Sequence, residues 1–113
     1  MEQKFLDGNK LITEFMGFIP ISEFDFLGYN HPYKEDSDEY KKLLVYDAAK
    51  YHSSFDSLMP VGLKCLEVAE DAMLDEWVGS IVDAAGNFII EPLYNELVEF
   101  IKFYNNNPNE FNI

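Results

Sequence analysis

The sequence contains no arginine: its eight basic side chains are all lysines, against 21 aspartates and glutamates, and the net charge is −13. Arginine is the usual side chain for bidentate recognition of phosphates and bases, and a chain of this sign repels polyanions. Nucleic-acid binding is therefore disfavoured twice, by sign and by residue type. An anionic membrane surface is disfavoured by sign, so charged partners should be basic proteins or metal ions.

Cysteine is scarce as well, because Cys65 is the only one and no intrachain disulfide can form. No apolar run approaches the roughly 20 residues of a membrane-spanning helix. Residues 1–4 also lack the apolar run of a secretory signal. We therefore expect a cytoplasmic protein without a membrane partner.

Apolar and aromatic residues are plentiful enough for a core, since 48% of the 113 residues are hydrophobic and 16% are aromatic. These fractions are typical of a globular protein and argue against disorder. We predict a single domain over residues 1–113, with a tail that frays from about residue 105. The predicted fold class is α+β, with about three helices packed against a small antiparallel β-hairpin or sheet.

The first predicted helix covers residues 7–17. Its apolar side chains recur at the three- and four-residue spacing that is typical of one helix face. Asp7 or Asn9 can cap its beginning, and Gly17 suits the position just after its end, where a left-handed backbone is common. We expect this face to contribute to the core.

Two longer helices are predicted in the second half of the chain. The central one begins after Ser54, which would place Pro60 beyond the first turn, where a kink is expected. Capping by Asp56 would instead bring this proline into the first turn and remove the strain. The last helix is predicted to start with Pro92 as its first helical residue.

The remaining segments are less regular. Residues 18–36 are rich in aromatic side chains and interrupted by prolines, which predicts a long loop that folds over the core or presents a binding surface. A short helix is predicted to begin at Ser37, while the apolar run 43–46 fits helix or strand. Strands at 78–82 and 88–90, joined by a Gly-Asn turn, are predicted to form the β-hairpin.

Catalytic and metal-binding side chains are few, since His31, His52 and Cys65 are the only ones with imidazole or thiol chemistry. Zinc-site spacings and glycine-rich phosphate loops are absent, so we expect no metal, no cofactor and no catalytic residue. His52 does stand beside Ser54 and Asp56, which leaves a Ser-His-Asp arrangement open. We favour a structural histidine next to a helix cap, and a buried, inert cysteine.

Three stretches resemble a family of small proteins from phages and prophages, especially of Bacteroidetes. They are LITEFMG at 11–17, YHSSFDSLMPV at 51–61 and YNELVEFIKFYN at 94–105. The family pattern is LIxEFMG, YHxSWDWLMPV and YNxVVEFIKWYN, in this order. The chain departs from it where Phe55 and Ser57 replace two tryptophans. The resemblance implies a phage or mobile-element setting and no particular chemistry.

The acidic residues are unevenly distributed, because the stretch from Cys65 to Ile101 contains nine acids and no base. If the central and last helices pack side by side, these acids can merge into one negative surface that attracts a basic cleft. We predict a binding surface with six members on these helices: Glu67, Glu70, Asp71, Asp75, Glu96 and Glu99.

The leading hypothesis is a small acidic phage-type protein in the cytoplasm of a bacterial host. It would bind and inhibit a basic host protein that handles nucleic acid or takes part in defence. One alternative is a small enzyme that uses His52 with Asp56 or Ser54. Another is a self-associating structural module that uses the aromatic segment 18–33, and the oligomeric state stays open.

Overall fold

The computed structural model describes residues 1–112, in which the chain divides into two compact units with the boundary between Ala49 and Lys50. These residues form six α-helices, one 3-10 helix and two short strands, which confirms the coarse α+β class. The strands pair in parallel, so the predicted antiparallel hairpin is wrong. The prediction of a single domain stays a prediction.

The first unit contains three helices and both strands. In chain order they are α1 Gln3–Phe15, β1 Ile19–Ile21, α2 Glu23–Leu27, α3 Asp38–Lys41 and β2 Leu43–Val45. The two strands pair with Ile19 opposite Leu43 and Ile21 opposite Val45. The parallel direction requires a crossover connection, which the segment containing α2 and α3 supplies. The ambiguous run at 43–46 is therefore largely a strand.

Helix α1 starts at Gln3 rather than at residue 7, so neither Asp7 nor Asn9 caps it. Asn9 is fully buried instead, and its Nδ2 donates a hydrogen bond to the carbonyl oxygen of Ala49 at 3.2 Å. A buried amide must find such a partner, so this bond ties the helix to the end of the unit. Gly17 has a φ of +90°, which confirms the predicted helix stop.

The aromatic segment is only partly packed against its own unit. The His31 ring stacks on Phe26 and Tyr33 at centroid distances of 6.3 and 5.9 Å, and it lies 5.9 Å from the ring of Tyr40. Four large side chains on the same segment stay exposed: Phe18, Phe24, Leu27 and Tyr29. The segment thus forms a small aromatic cluster and also leaves apolar surface uncovered.

The second unit is a bundle of three helices. They are α4 Phe55–Asp71, α5 Asp75–Gly86 and α6 Ile90–Asn106, followed by a 3-10 helix at Pro108–Phe111. Its buried side chains recur at helical spacing: Leu58, Val61, Cys65, Ala69, Ile81, Leu93, Tyr94, Leu97, Val98, Phe100 and Ile101. A Cβ at Gly62 would lie 3.7 Å from Leu97, so α4 and α6 approach each other closely there.

Both predicted serine caps are confirmed. The Oγ of Ser37 accepts a hydrogen bond from the backbone N–H of Tyr40 at 3.1 Å, at the start of α3. The Oγ of Ser54 accepts one from the N–H of Ser57 at 3.4 Å, at the start of α4. Pro60 therefore lies inside α4 beyond its first turn, and the helix continues through it.

The predicted hairpin region is helix α5. Asp75 and Glu76 occupy its first turn, where the positive end of the helix dipole favours acids. The spacing of Trp77 and Ile81 places both on the buried side, and the alanines that follow favour helix. The Gly-Asn pair ends this helix instead of forming a hairpin turn. The strand prediction was wrong because an apolar run as short as 78–82 fits either a helix or a strand.

Helix α6 begins at Ile90, so Pro92 is its third residue and not its first. The proline is tolerated there because the first four N–H groups of a helix have no partner within it. The sequence predicts fraying from about residue 105, whereas the structure gives this segment a defined turn. Phe111 packs against Tyr104 at 4.8 Å between ring centroids and edge-on against Phe100.

Candidate functional site

Three of the predicted binding residues lie together near the end of α4. Glu67, Glu70 and Asp71 are exposed and spaced by three and four residues, which makes them neighbours on the helix surface. The last turn of this helix carries no basic residue. Carboxylates at that end face the negative pole of the helix dipole and repel one another. Helix stability therefore does not account for these acids.

Asp75 lies four residues after Asp71, but it does not continue the row that Glu67 and Asp71 form on α4. Helix α4 ends at Asp71, and the chain then turns through Met73, whose φ is +58°. Asp75 is the first residue of α5, where its charge stabilises the helix N-terminus. A structural role is sufficient to explain this acid.

The two predicted residues of α6 have different surroundings. Glu96 is half-buried and lines an open cavity of about 410 Å³ together with Glu76, Trp77 and Ser80. Within the described part of the chain, its Oε1 atom is buried without a hydrogen-bond partner. Glu99 is exposed and accepts a hydrogen bond from the Nζ of Lys102 at 3.3 Å, which partly neutralises it.

The six predicted residues thus fall into groups on three helices. Asp71 lines a cavity of about 240 Å³ with Tyr104 and Phe111, whereas Glu96 lines a separate one beside Trp77. Only the α4 acids are shown to be neighbours, by their spacing on one helix. The merging of all six acids into one continuous surface stays a prediction.

The residues of the enzyme hypothesis have structural roles in the fold. The ring of His52 is half-buried and contacts Tyr94 edge-on at 6.3 Å between centroids. The hydroxyl of Ser54 accepts the capping hydrogen bond of α4. Asp56 is exposed in the first turn of that helix, where its charge is favourable. Capping and packing therefore explain this constellation without a reaction.

Cys65 is completely buried on the inner face of α4. Burial raises the pKa of its thiol from 9.0 to about 12, although the nearby charge of Lys64 acts in the opposite direction. Because the thiolate is the reactive form, this cysteine is chemically inert near neutral pH.

Over residues 1–112, no group of three or more histidine, cysteine, aspartate or glutamate side chains is placed to hold a metal ion. None of the helices in this range combines the length and apolar character that crossing a membrane requires.

An open groove of about 300 Å³ in the first unit is lined by residues of both strands and of the aromatic segment. Charged groups of both signs, from Lys10 and Asp25, line it together with Pro20 and Tyr46. His31 also borders the groove, and its Nδ1 accepts a hydrogen bond from the N–H of Tyr33. Since Nδ1 carries no proton, the buried Nε2 is the protonated nitrogen and finds no partner in the described chain.

Two residues beside the predicted surface were missed by sequence reasoning. Glu76 shares a cavity with Glu96, and the Trp77 ring contacts Phe100 and Phe103 at 5.4 and 5.5 Å. Because residues 78–82 were predicted to be a strand, Glu76 and Trp77 directly before them were not recognised as the start of a helix. The useful signal was a pair of acids directly before apolar residues at helical spacing, which is typical of a helix start.

Comparison with known proteins does not assign the chain to a family. No family model, no curated protein and no solved structure matches it. The resemblance to small phage proteins therefore stays a prediction, and the site has to be argued from its own geometry.

Proposed function

We propose that the chain is a non-enzymatic binding protein whose second unit docks on a basic protein and blocks it. One observation carries this proposal: the nine acids between Cys65 and Ile101 occur without a single base and are distributed over three packed helices. Eight of the nine are exposed, and Glu96 alone is half-buried. An unbalanced surface of this kind steers a positively charged partner and selects against acidic ones.

The α4 acids support a binding role most strongly, because their position opposes helix stability. A solubilising charge could stand anywhere on the surface, and the first two acids of α5, Asp75 and Glu76, stand where they also stabilise their helix. Glu70 and Asp71 instead lie at the negative end of α4 without a base in that turn. An unfavourable arrangement of this kind is expected where function requires it.

The partner that fits best is a basic protein of a bacterial host, in its cytoplasm. Proteins that handle nucleic acid, including defence proteins of that kind, present basic clefts, and occupying such a cleft would inhibit them. Strict imitation of DNA fits less well. An i to i+4 step advances about 6 Å along a helix. One DNA strand presents a phosphate every ~3.4 Å.

Binding to bacterial proteins at increasing salt concentration tests the proposal. The immobilised chain is expected to retain basic proteins at low salt and to release them as salt screens the attraction. A variant with Glu67→Gln, Glu70→Gln and Asp71→Asn should lose most of this binding. Each retained protein is then assayed with the added chain, which should inhibit it.

The control removes the same number of charges from the first unit, where Glu14, Glu35 and Asp36 are also exposed. A variant with Glu14→Gln, Glu35→Gln and Asp36→Asn has the same net charge as the α4 variant and should keep binding. Equal losses in both variants would show a general charge effect and contradict a binding site on α4. Retention that ignores salt would contradict the proposal as a whole.

Self-association is a second candidate, and the exposure of Phe24, Leu27 and Tyr29 favours it. Sedimentation at micromolar concentration distinguishes it from the main proposal. A dimer that dissociates in a Phe24→Ser, Leu27→Ser variant would support it, and a clean monomer would exclude it. The enzyme alternative is tested by His52→Ala, since loss of turnover in a well-folded variant is needed to sustain it.

A further inference from the structure

One exposed ridge runs along the whole of helix α4. Its members follow each other at four-residue steps: Phe55, Met59, Leu63, Glu67 and Asp71. The three apolar members are 38%, 46% and 63% exposed, and the two acids are exposed as well. We call this row the α4 ridge. Its first half is apolar and its second half is acidic.

None of the ridge side chains is fully buried in its own unit. The opposite face of α4 supplies the buried residues Leu58, Val61, Cys65 and Ala69. A helix that packs on one side is expected to be polar on the other, as the second half of the ridge is. Three large apolar side chains in consecutive turns depart from this pattern, and such exposed rows are typical of binding surfaces.

We propose that the α4 ridge binds an amphipathic basic helix of the partner protein. Apolar side chains of that helix would cover Met59 and Leu63, and its lysines or arginines would reach Glu67 and Asp71. This inference rests on the proposed function and specifies the partner of the same surface. Apolar contact supplies the affinity, and the acidic half sets the orientation and the preference for a basic partner.

The dimensions of the ridge define the partner. From Phe55 to Asp71 the helix advances about 24 Å, and each four-residue step also turns about 40° around the helix axis, so a partner helix follows the row at a crossing angle. The matching partner segment therefore has apolar residues over about two turns, followed by basic residues over the next two. The flexible methionine side chain adapts to partners of different shape. Lys64, three residues before Glu67, lies beside the acidic half of the ridge, whose two carboxylates still outnumber it.

A second copy of this chain is a poorer occupant of the ridge. Parallel pairing of two ridges would place Glu67 and Asp71 opposite their own counterparts, and like charges in contact destabilise. Antiparallel pairing would place those carboxylates on the apolar side chains of the other copy. Each arrangement leaves charges unfavourably placed, whereas a basic helix satisfies both halves of the ridge.

A set of three synthetic helical peptides tests the inference with the full chain. The first peptide carries leucines at i, i+4 and i+8 and lysines at i+12 and i+16. The second replaces its leucines by glutamine, and the third replaces its lysines by glutamine. Binding is measured by fluorescence anisotropy at several salt concentrations. The first peptide should bind at least about tenfold more tightly than either of the others.

Two double variants of the chain distinguish the contribution of the apolar half of the α4 ridge to peptide binding from that of the acidic half. Met59→Gln with Leu63→Gln should weaken binding of the first peptide about tenfold or more and leave its salt dependence unchanged. Glu67→Gln with Asp71→Asn should weaken binding and also flatten the salt dependence. Val82→Gln serves as the control because Val82 is a 51% exposed apolar residue on another helix, and it should change nothing.

The outcomes separate this inference from the proposed function. If the second peptide, basic without leucines, binds as tightly as the first, the acidic surface acts alone and the helix inference is wrong. If no peptide binds at low salt and no basic protein is retained, the proposed function also fails. A dimer that the Met59→Gln, Leu63→Gln variant dissociates would assign the ridge to a second copy and overturn the inference.

Discussion

Replacing Met73 by glycine is expected to stabilise the protein, although methionine is normally the better residue. Met73 lies in the turn after α4 with a φ of +58°. Its N–H donates to the carbonyl oxygen of Glu70, and the N–H of Leu74 donates to that of Ala69. These two bonds define the Schellman motif, in which glycine usually occupies the left-handed position. A methionine there is conformationally strained.

The size of the effect follows from two opposing contributions. The left-handed conformation costs a residue with a Cβ about 1–2 kcal/mol. Glycine returns roughly 0.5–1 kcal/mol of this through its greater freedom in the unfolded chain. Lost packing adds little, because the Met73 side chain is 85% exposed. We therefore expect a gain of about 0.5–1 kcal/mol in the free energy of unfolding.

The matched control is Met59→Gly, the same substitution in the interior of α4, where Met59 is 46% exposed. Glycine in a helix interior should lower the free energy of unfolding by about 0.5–1 kcal/mol, and the lost packing of this half-covered side chain should lower it further. Urea and thermal unfolding followed by circular dichroism measure both variants. Opposite signs are expected, with shifts of the melting temperature of ~2–6 °C. Destabilisation by Met73→Gly similar to that of the control would refute the reasoning about the strained turn.

Three further predictions concern stability and reactivity. Gly79→Ala should raise the free energy of unfolding by up to about 1 kcal/mol in urea titrations, because Gly79 lies within α5 and a Cβ would meet nothing within 4 Å. Phe111→Ala should lower the free energy of unfolding by about 1–2 kcal/mol, because the Phe111 ring packs against Tyr104 and Phe100. Phe88→Ala should change it by less than about 0.5 kcal/mol, because the Phe88 side chain is 85% exposed. The raised pKa of Cys65, about 12, means that a thiol reagent at pH 8 should label only the unfolded chain. This pKa lies above the 9.0 of an unperturbed thiol, so the contribution of protonated Cys65 to the free energy of unfolding is complete below about pH 9 and decreases as the pH rises towards 12. Unfolding of the protein and of a Cys65→Ala variant, measured across this pH range, checks the prediction.

Structural features that depend on a single residue type and its close neighbours were predicted well from the sequence. A serine before a helix has a specific hydrogen bond to make, so Ser37 and Ser54 were placed correctly as caps. Gly17 was placed correctly because few other residues accept a φ of +90°. The periodicity of α4 and α6 was equally clear. In each case the deciding interaction lies within a few residues of the chain.

The errors arose where the deciding interactions lie far apart in the sequence. Residues 78–82 fit a strand locally, and their helical state is favoured by the packing of Trp77 on Phe100 of another helix. The parallel pairing of Ile19 with Leu43 could not be predicted, because nothing in either short run specifies its partner. Asn9 was mistaken for a cap, since its true partner is the distant carbonyl of Ala49.

The candidate site was predictable in composition but not in arrangement. The excess of acids is visible in the sequence, and so is the spacing of Glu67 and Asp71. The assignment of Asp75 to the same row depended on where α4 ends, and the turn at Met73 decided that. The apolar half of the α4 ridge was hidden, because Met59 fits the core pattern of this helix unless its exposure is known.

Several features of the free protein reduce its stability, and two of them share one explanation. Met73 and Phe88 occupy left-handed positions after their helices while their side chains are 85% exposed, so the strain brings no packing in return. The acids at the end of α4 repel one another, and the apolar half of the α4 ridge is hydrated. A basic amphipathic partner would relieve the last two features together, since it brings compensating charge and covers apolar surface in one contact. Charge repulsion and exposed apolar surface both lower the stability of the free protein, so a requirement of binding accounts for them better than a requirement of folding does.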